Sequence, residues 1–436
     1  MTELAWIDAA LTVARPQAIG ALLRYFRDLD TAEEAFQEAS LRALRAWPKN
    51  GPPRDPTAWL ILVGRNAALD GVRKKARETD LPDEGVLSDL EDVEAPLAER
   101  LDGSQYRDDV LRLLFICCHP DLPATQQIAL ALRIVSGLSV KQIARAFLVS
   151  EAAMEQRITR AKARIAKAEV AFQAPGAVER SERLAAVAAM IYLVFNEGYS
   201  AGGSSTRGQL SEEAIRLGRL LLRLFPTEAE VMGLCALMLI QHSRMAARFD
   251  AAGEAILLDD QDRGLWDHKA ITEGLALIDK AMRHRRPGAY QVQAAIAALH
   301  ARATAPAMTD WSQIERLYAT LAIIQPSPVV TLNRAVALSR AEGPAEALAL
   351  ITPLEERLSG YFHFFGAKGA FLLELGRDRE AAEAFDRAIA LANTPAEAAH
   401  IRGRLDRIRA EAKDKLGGVG PTVSPASSEQ QQGEIR

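Results

Sequence analysis

From Gly137 the chain reads Gly-Leu-Ser-Val-Lys-Gln-Ile-Ala-Arg-Ala-Phe-Leu-Val-Ser-Glu-Ala-Ala-Met-Glu-Gln-Arg-Ile-Thr-Arg-Ala-Lys-Ala-Arg-Ile, ending at Ile165. This has helix-turn-helix form. Ile143, Ala144 and Phe147 pack a first helix, Leu148 and Val149 make the turn, and Ser150 is placed to cap the second helix. In that helix Met154, Ile158, Ala161 and Ile165 recur at helical spacing and form a buried stripe. Ala153, Gln156, Arg157 and Arg160 then face outward near the N-terminal end, the part of a recognition helix that enters the major groove. Arginine bonds guanine bidentately and glutamine bonds adenine, while Arg164 and Lys167 lie further along, where phosphates would pass. Seven basic residues against two acids between 141 and 167 support this reading over a hairpin with an ordinary basic surface.

Working toward the N-terminus, a second helix is expected from about Thr57 to Arg77. Leu60, Ile61, Gly64, Ala67, Ala68, Gly71 and Val72 share one face, whose small residues allow close packing on a neighbour. Asn66, Asp70, Arg73 and Arg77 share the other, with Lys74 and Lys75 alongside. That face suits a phosphate backbone, and Asn66 carries the paired donor and acceptor that read a base edge. On periodicity alone a solvated helix face is the better-fitting reading.

The 436 residues carry a net charge of −4, which excludes a uniformly basic nucleic-acid coat, but the charge is segmented. Residues 1–77 hold 12 bases and 9 acids, and residues 103–170 hold 10 bases and 6 acids. Between them, 78–102 hold ten acids, one base and prolines at 82 and 96, the composition of a linker. Three cysteines, two adjacent, make no disulfide framework. The N-terminus lacks a basic n-region, and the longest apolar runs, 12 and 10 residues, fall short of the roughly 18 to 20 a membrane helix needs. These features point to a cytoplasmic protein with no membrane partner. Aromatic residues make up only 6% while nearly half the residues are apolar, which favours an all-α fold packed with Ala and Leu.

Residues 180–415 are expected to form a helical repeat domain of tetratricopeptide type. Phe365, Gly369, Ala381, Phe385 and Ala388 have the required large-small and small-large-small spacing. Ala335 and Ala347 precede Gly369 and Ala381 by 34 residues, and a third unit runs from Glu213 and Ala214 to Pro226. The tail, 416–436, is of low complexity and reads as disordered.

Two basic helical blocks joined by an acidic tether resemble the sigma-70 superfamily, specifically the two-domain extracytoplasmic-function sigma factors. Asp30 to Ala39 is similar to their region 2.2, Trp59 to Lys74 to regions 2.3 and 2.4, and 109–165, with Cys117-Cys118-His119-Pro120, to region 4. Tyr192 to Tyr199 and Leu258 to Asp267 resemble the branch with a tetratricopeptide-like C-terminal extension. The resemblance implies three jobs. Asp30, Glu33, Glu34 and Gln37 would contact the β′ clamp of core RNA polymerase, and region 4 the β flap. Asn66, Asp70, Arg73, Lys74 and Arg77 would meet the −10 element, with a flipped base held near the loop Pro48 to Asp55. Ala153, Gln156, Arg157, Arg160, Arg164 and Lys167 would read the −35 element. The tether, 78–102, corresponds in place to the linker that threads the polymerase channel. Leu148 stands where a generic turn has glycine.

Other constellations weigh less. Adjacent Cys117 and Cys118 lack a C-x-x-C chelating loop, so a core role is expected rather than a metal site. Glu197 and the acids at 259, 260 and 262 have no accompanying nucleophile, metal triad or phosphate loop, so capping is expected rather than catalysis, and no cofactor is implied. The expected function is thus a non-enzymatic sigma factor that binds core polymerase and promoter DNA. A regulatory protein or ligand would be read by its repeat domain. A tetratricopeptide adaptor and a stand-alone helix-turn-helix regulator are the competing readings.

Overall fold

The computed structural model describes residues 5–76, 103–147, 149–167, 177–200, 208–250, 256–392, 401–402 and 405–406. The expected linker at 78–102, Arg77, Leu148 and the tail from 416 lie outside the described residues. Every regular element among the described residues is a helix. The chain divides after Ala307 into two units.

In the first unit, α1 (Ala5–Phe26), α2 (Leu29–Asn50) and α3 (Pro56–Ala76) pack pairwise as a three-helix domain. Asp28 starts α2 by accepting from the Thr31 amide at 2.7 Å. Gly51, at φ +80°, stops it and donates to the Trp47 carbonyl. The loop expected from Pro48 is therefore shorter. Pro48, Lys49 and Asn50 belong to the last turn of α2, and only 51–55 connect the helices. Pro48 has no N–H to offer the carbonyl four residues earlier, so this turn forgoes one helical hydrogen bond. Asp55 then caps α3, accepting from the Thr57 and Ala58 amides.

Four helices follow, α4 (Gly103–Cys117), α5 (Ala124–Ile134), α6 (Val140–Ala146) and α7 (Glu151–Lys167), and then α8 (Ala177–Ser200), α9 (Gly208–Leu224) and α10 (Ala229–His242). A single apolar core runs through them, from Ile7 in α1 to Leu239 in α10. Cys117 and Cys118 belong to it. Burial pushes the Cys117 thiol well up and the Cys118 thiol to about 12, as expected of packed rather than reactive sulfur. The unit closes with α11 (His268–Met282) and α12 (Ala289–Arg302) on α10, which is buried along its whole length.

Two of the acids at 259–267 serve as caps. Asp262 accepts from the Gly264 amide, and Asp267 caps α11 through the Lys269 and Ala270 amides. Arg263 donates to the carbonyls of His300 and Ala303, tying this turn to the end of α12. Tyr199 is held by Arg244 at its hydroxyl and by Arg248 at its carbonyl.

The second unit contains α13 (Trp311–Ile324), α14 (Pro328–Ala341), α15 (Pro344–Ile351), α16 (Phe362–Glu374) and α17 (Asp378–Leu391). Its core includes Ala335, Ala347, Phe365, Ala381, Phe385 and Ala388, the positions that the 34-residue period singles out. Gly369 explains the requirement for a small residue. A Cβ there would lie 2.6 Å from the Phe385 ring.

Two outcomes follow. Gly369→Val in the full chain should lower the stability of the second unit by about 1–3 kcal/mol through overpacking, read as an earlier urea transition. Phe385→Leu in the same chain should recover part of the loss. In the first unit, burial together with Arg244 and Arg263 pulls His300 down to about 4. Its unfolded value is near 6.5, so its neutral folded form is favoured fully above that pH, and stability falls as pH drops from 6.5 toward 4. Replacing it in His300→Gln should shrink the stability difference between pH 7 and pH 5 by about 2 kcal/mol, measured by urea titration at both pH values.

Candidate nucleic-acid interface

The helix-turn-helix forms as its residues dictate. Ser139 and Gln142 make a reciprocal capping box at the start of α6, and Ile143 and Ala144 are buried. The Ser150 hydroxyl accepts from the Ala153 amide at 3.2 Å and caps α7. Met154, Ile158, Ala161 and Ile165 are the buried residues of α7. Ala153, Gln156, Arg160, Arg164 and Lys167 are exposed and Arg157 is half-buried, so one face of the helix is presented to solvent. Arg164 also donates to the Asp121 carbonyl at 3.0 Å, bracing α7 on the α4–α5 turn.

In the first domain Gly64 fits tightly on α2, where a Cβ would lie 2.9 Å from the Ala35 carbonyl oxygen. The division of α3 into two faces is less clean than its periodicity suggests. Ala58, Leu62 and Val63 are buried along with Leu60 and Ile61, because α1 and α2 both pack on this half. Asn66 is half-buried at the end of that stretch. Asp70, Arg73 and Lys74 lie on the remaining turns of α3.

The four polar residues of α2 separate. Asp30, Glu34 and Gln37 are exposed, whereas Glu33 is only 4% exposed. Glu33 meets cations from three other helices. Arg133 of α5 and Lys162 of α7 approach its carboxylate at 2.8 Å each, and Arg15 of α1 at 3.7 Å. Lys162 also bonds Asp30 at 2.5 Å. Half-burial lowers the Lys162 ammonium, but its hydrogen bonds to Asp30 and Glu33 outweigh this and leave it above the ordinary lysine value. Burial draws the Arg15 guanidinium down to about 10, against the pull of Glu33, so it stays charged at neutral pH. Arg15 also donates to the Ile134 and Arg133 carbonyls, capping the C-terminal end of α5 with a cation.

Arg15, Arg133 and Lys162 carry this cluster and were not among the residues singled out by motif. Their signal in the sequence is positional. At 100° per residue Glu33 falls about 40° from Leu29, at the edge of the apolar sector of α2, and Lys162 falls about 40° from Ile158 in α7. An acid and a base at the rims of two apolar stripes mark a polar contact between the helices, without naming the partner.

Comparison with known proteins identifies the parts. Residues 12–78 match Sigma-70 region 2, residues 112–165 match Sigma-70 region 4, and residues 183–282 match a family of unknown function, DUF6596. An uncharacterized protein of Rhizobium meliloti, R00370, is 68% identical over 413 residues, covering 94% of this chain and 98% of that one. This chain belongs to the same family. A probable ECF RNA polymerase sigma factor, SigI of Mycobacterium tuberculosis, is 24% identical over 233 residues, covering 52% of this chain and 79% of its own. Region 2 is thus the three-helix domain α1–α3, region 4 is α4–α7, and the DUF6596 segment spans most of α8–α11. These domains belong to sigma factors, whose partners are RNA polymerase core and promoter DNA. No helix among the described residues is long and apolar enough to cross a membrane.

Removing the Glu33 carboxylate while its cations stay half-buried should be costly. Glu33→Ala is expected to destabilise the first unit by about 2–4 kcal/mol, less than a fully buried pair because Arg133 and Lys162 keep some contact with water. Urea unfolding at pH 7 measures it, with Glu33→Gln expected to lose less.

Proposed function

We propose that the chain is an alternative sigma factor, which binds core RNA polymerase and directs it to a narrow set of promoters without chemistry of its own. The observation that carries this reading is the outward face of α7. A capped, firmly packed helix leaves Gln156 and Arg160 exposed beside half-buried Arg157, on a domain that follows region 2 in the same chain. In this reading Gln156, Arg157 and Arg160 contact −35 base edges, Ala153 lies beside them on the face that enters the major groove, and Arg164 and Lys167 meet the backbone. Asn66, Asp70, Arg73, Lys74 and Arg77 engage the −10 element, and melting leaves a base to be held near the 51–55 turn. Asp30, Glu34 and Gln37 offer polymerase an acidic and polar surface on α2, joined by Glu33 when it is uncovered. Region 4 contacts the β flap. The protein works in the cytoplasm, where polymerase and promoters are.

The C-terminal helices are the regulatory part. DUF6596 and the repeated helix pairs of the second unit, of tetratricopeptide type in their spacing, would receive a protein or small-molecule signal.

Run-off transcription with the purified full chain and bacterial core polymerase, on the DNA upstream of its own coding sequence, tests the reading. A promoter-specific transcript that needs both components is expected, and none at all would refute it. Tight specific DNA binding by the free chain would favour a stand-alone regulator instead. Arg160→Ala should weaken discrimination at one −35 base pair by roughly 1–3 kcal/mol, seen as a flattened response to substitutions there. An unchanged preference removes Arg160 from the readout.

A further inference from the structure

Two sequence motifs of the extension, Tyr192 to Tyr199 and Leu258 to Asp267, meet at one place in the first unit. Tyr199 ends the first motif in the last turn of α8, and Arg263 and Trp266 belong to the second. Arg244 and Arg248, which flank the short turn Met245–Ala247, join the two. Arg244 donates from Nη2 to the Tyr199 hydroxyl at 2.9 Å, and its guanidinium carbon lies 5.9 Å from the centre of the Trp266 ring. Arg263 lies over the same ring at 4.7 Å. Arg248 lies over the Tyr199 ring at 3.6 Å and donates to the Tyr199 carbonyl. Three guanidinium groups are thus gathered on two aromatic rings, with His300 of α12 within reach of their charge.

The cluster holds more positive charge than its structural work uses. Arg263 spends only Nη1 on the His300 and Ala303 carbonyls at the end of α12. Its Nε and Nη2 are buried without a hydrogen-bond partner among the described residues, as is Trp266 Nε1. A buried donor left unmade is costly, and a charged one more so. No carboxylate among the described residues forms an ion pair with Arg244, Arg248 or Arg263. Burial lowers both Arg248 and Arg263, and the like charge of Arg244 adds to it. Asp259, exposed on the same turn, acts on Arg263 and His300 in the opposite sense without outweighing these effects. The C-terminal end of α12 contributes about half a negative charge, against three full positive ones.

The Nε–Nη2 edge of an arginine is the fork that bonds two oxygens of one carboxylate or phosphate in parallel. Three uncompensated cations match a doubly charged group with three terminal oxygens, a phosphate, better than a single carboxylate. The unmade donors of Arg263 are recessed, so a flat protein or duplex surface does not reach them and a small group does. Arg244 and Arg248 are half-buried and border solvent, which leaves a way in past them. Trp266 is only 4% exposed, so it positions the arginines and offers no stacking face to a planar ligand. We propose that Arg244, Arg248 and Arg263 bind the phosphate group of a small molecule, Arg263 supplying the bidentate edge, and that this ligand is the signal received by the C-terminal helices. The second half of this rests on the regulatory role given to those helices under the proposed function. A route to the DNA-reading domain exists, because α8, which carries Tyr199, packs on α4 and α5 of region 4.

Isothermal titration calorimetry of the full chain tests the site, with inorganic phosphate and with glycerol 3-phosphate as probes at an ionic strength held constant with chloride. One-site binding with Kd below about 1 mM is expected for at least one probe. A tighter monoester supports an esterified metabolite as the ligand, and equal affinities support free phosphate. Arg263→Lys keeps the charge but loses the fork, and should weaken binding at least about tenfold. Arg244→Gln should weaken it about as much, and it carries the test if Arg263→Lys fails to fold, because the one hydrogen bond it removes is to the Tyr199 hydroxyl. Arg283→Gln, exposed just after α11, should leave affinity unchanged. Binding weaker than about 1 mM for both probes overturns the site, as does affinity unchanged in the Arg244 and Arg263 variants. Neither result touches the sigma reading, since no polymerase is present. In run-off transcription the probe that binds should change the transcript yield at least about threefold with the parent chain and not with Arg244→Gln. Binding without that change overturns the ligand as a signal. A chain that binds the probe yet directs no transcript with or without it overturns the sigma reading, and the signal with it, and leaves the site.

Discussion

The Glu33 carboxylate sits where three helices from two domains bring Arg15, Arg133 and Lys162 together, and it fixes the polar side of a contact between region 2 and region 4 whose apolar side is their shared core. A carboxylate this deeply placed is tolerated only with cations close by, since desolvating it alone would cost several kcal/mol. Each cation is in turn fixed by other work. Arg15 caps α5, Arg133 also donates to the Leu138 carbonyl, and Lys162 stands at the rim of the stripe that packs the recognition helix. The consequence is a first unit in which the domain that would melt DNA and the domain that would read duplex DNA are tied together by charge as well as by the apolar core they share.

Much of the local structure was legible in the sequence because it follows from short-range rules. The stripe Met154, Ile158, Ala161 and Ile165 is buried as its period requires, and Ser150 caps the helix it precedes. Gly64 and Gly369 occupy close approaches that their neighbours in the pattern anticipate. The repeat spacing placed Ala335, Ala347, Ala381, Phe385 and Ala388 in a common core. Family resemblance then supplied the roles, which periodicity alone had left open between a DNA face and a solvated one.

The remainder was not legible for a physical reason. Which acid meets which base over a separation of more than a hundred residues is settled by tertiary packing, and no local pattern links Glu33 to Lys162. The extent of α2 was misread because Pro48 looks like a loop residue, yet the helix runs on to Asn50 and forgoes the one hydrogen bond that the proline cannot donate. The face division of α3 blurred for a similar reason, since a helix flanked by two others is buried on more than one side. Nor does composition reveal that helices up to α12 join the same unit as regions 2 and 4, because an apolar helix face does not specify its partner.

Taken together, the chain joins a region 2 and a region 4 domain to a fused helical extension, and the two domains meet through a shared apolar core and the charged cluster around Glu33. The most direct measurement is the separation of region 2 and region 4 in solution, by energy transfer between dyes on exposed positions of α2 and α7. One dye pair would be followed in the free full chain and in its complex with core polymerase and promoter DNA. The account predicts contact-range transfer in the free protein and its loss in the complex, where the two reading faces must stand roughly 85 Å apart. High transfer persisting on the promoter, or low transfer in the free chain, would contradict it.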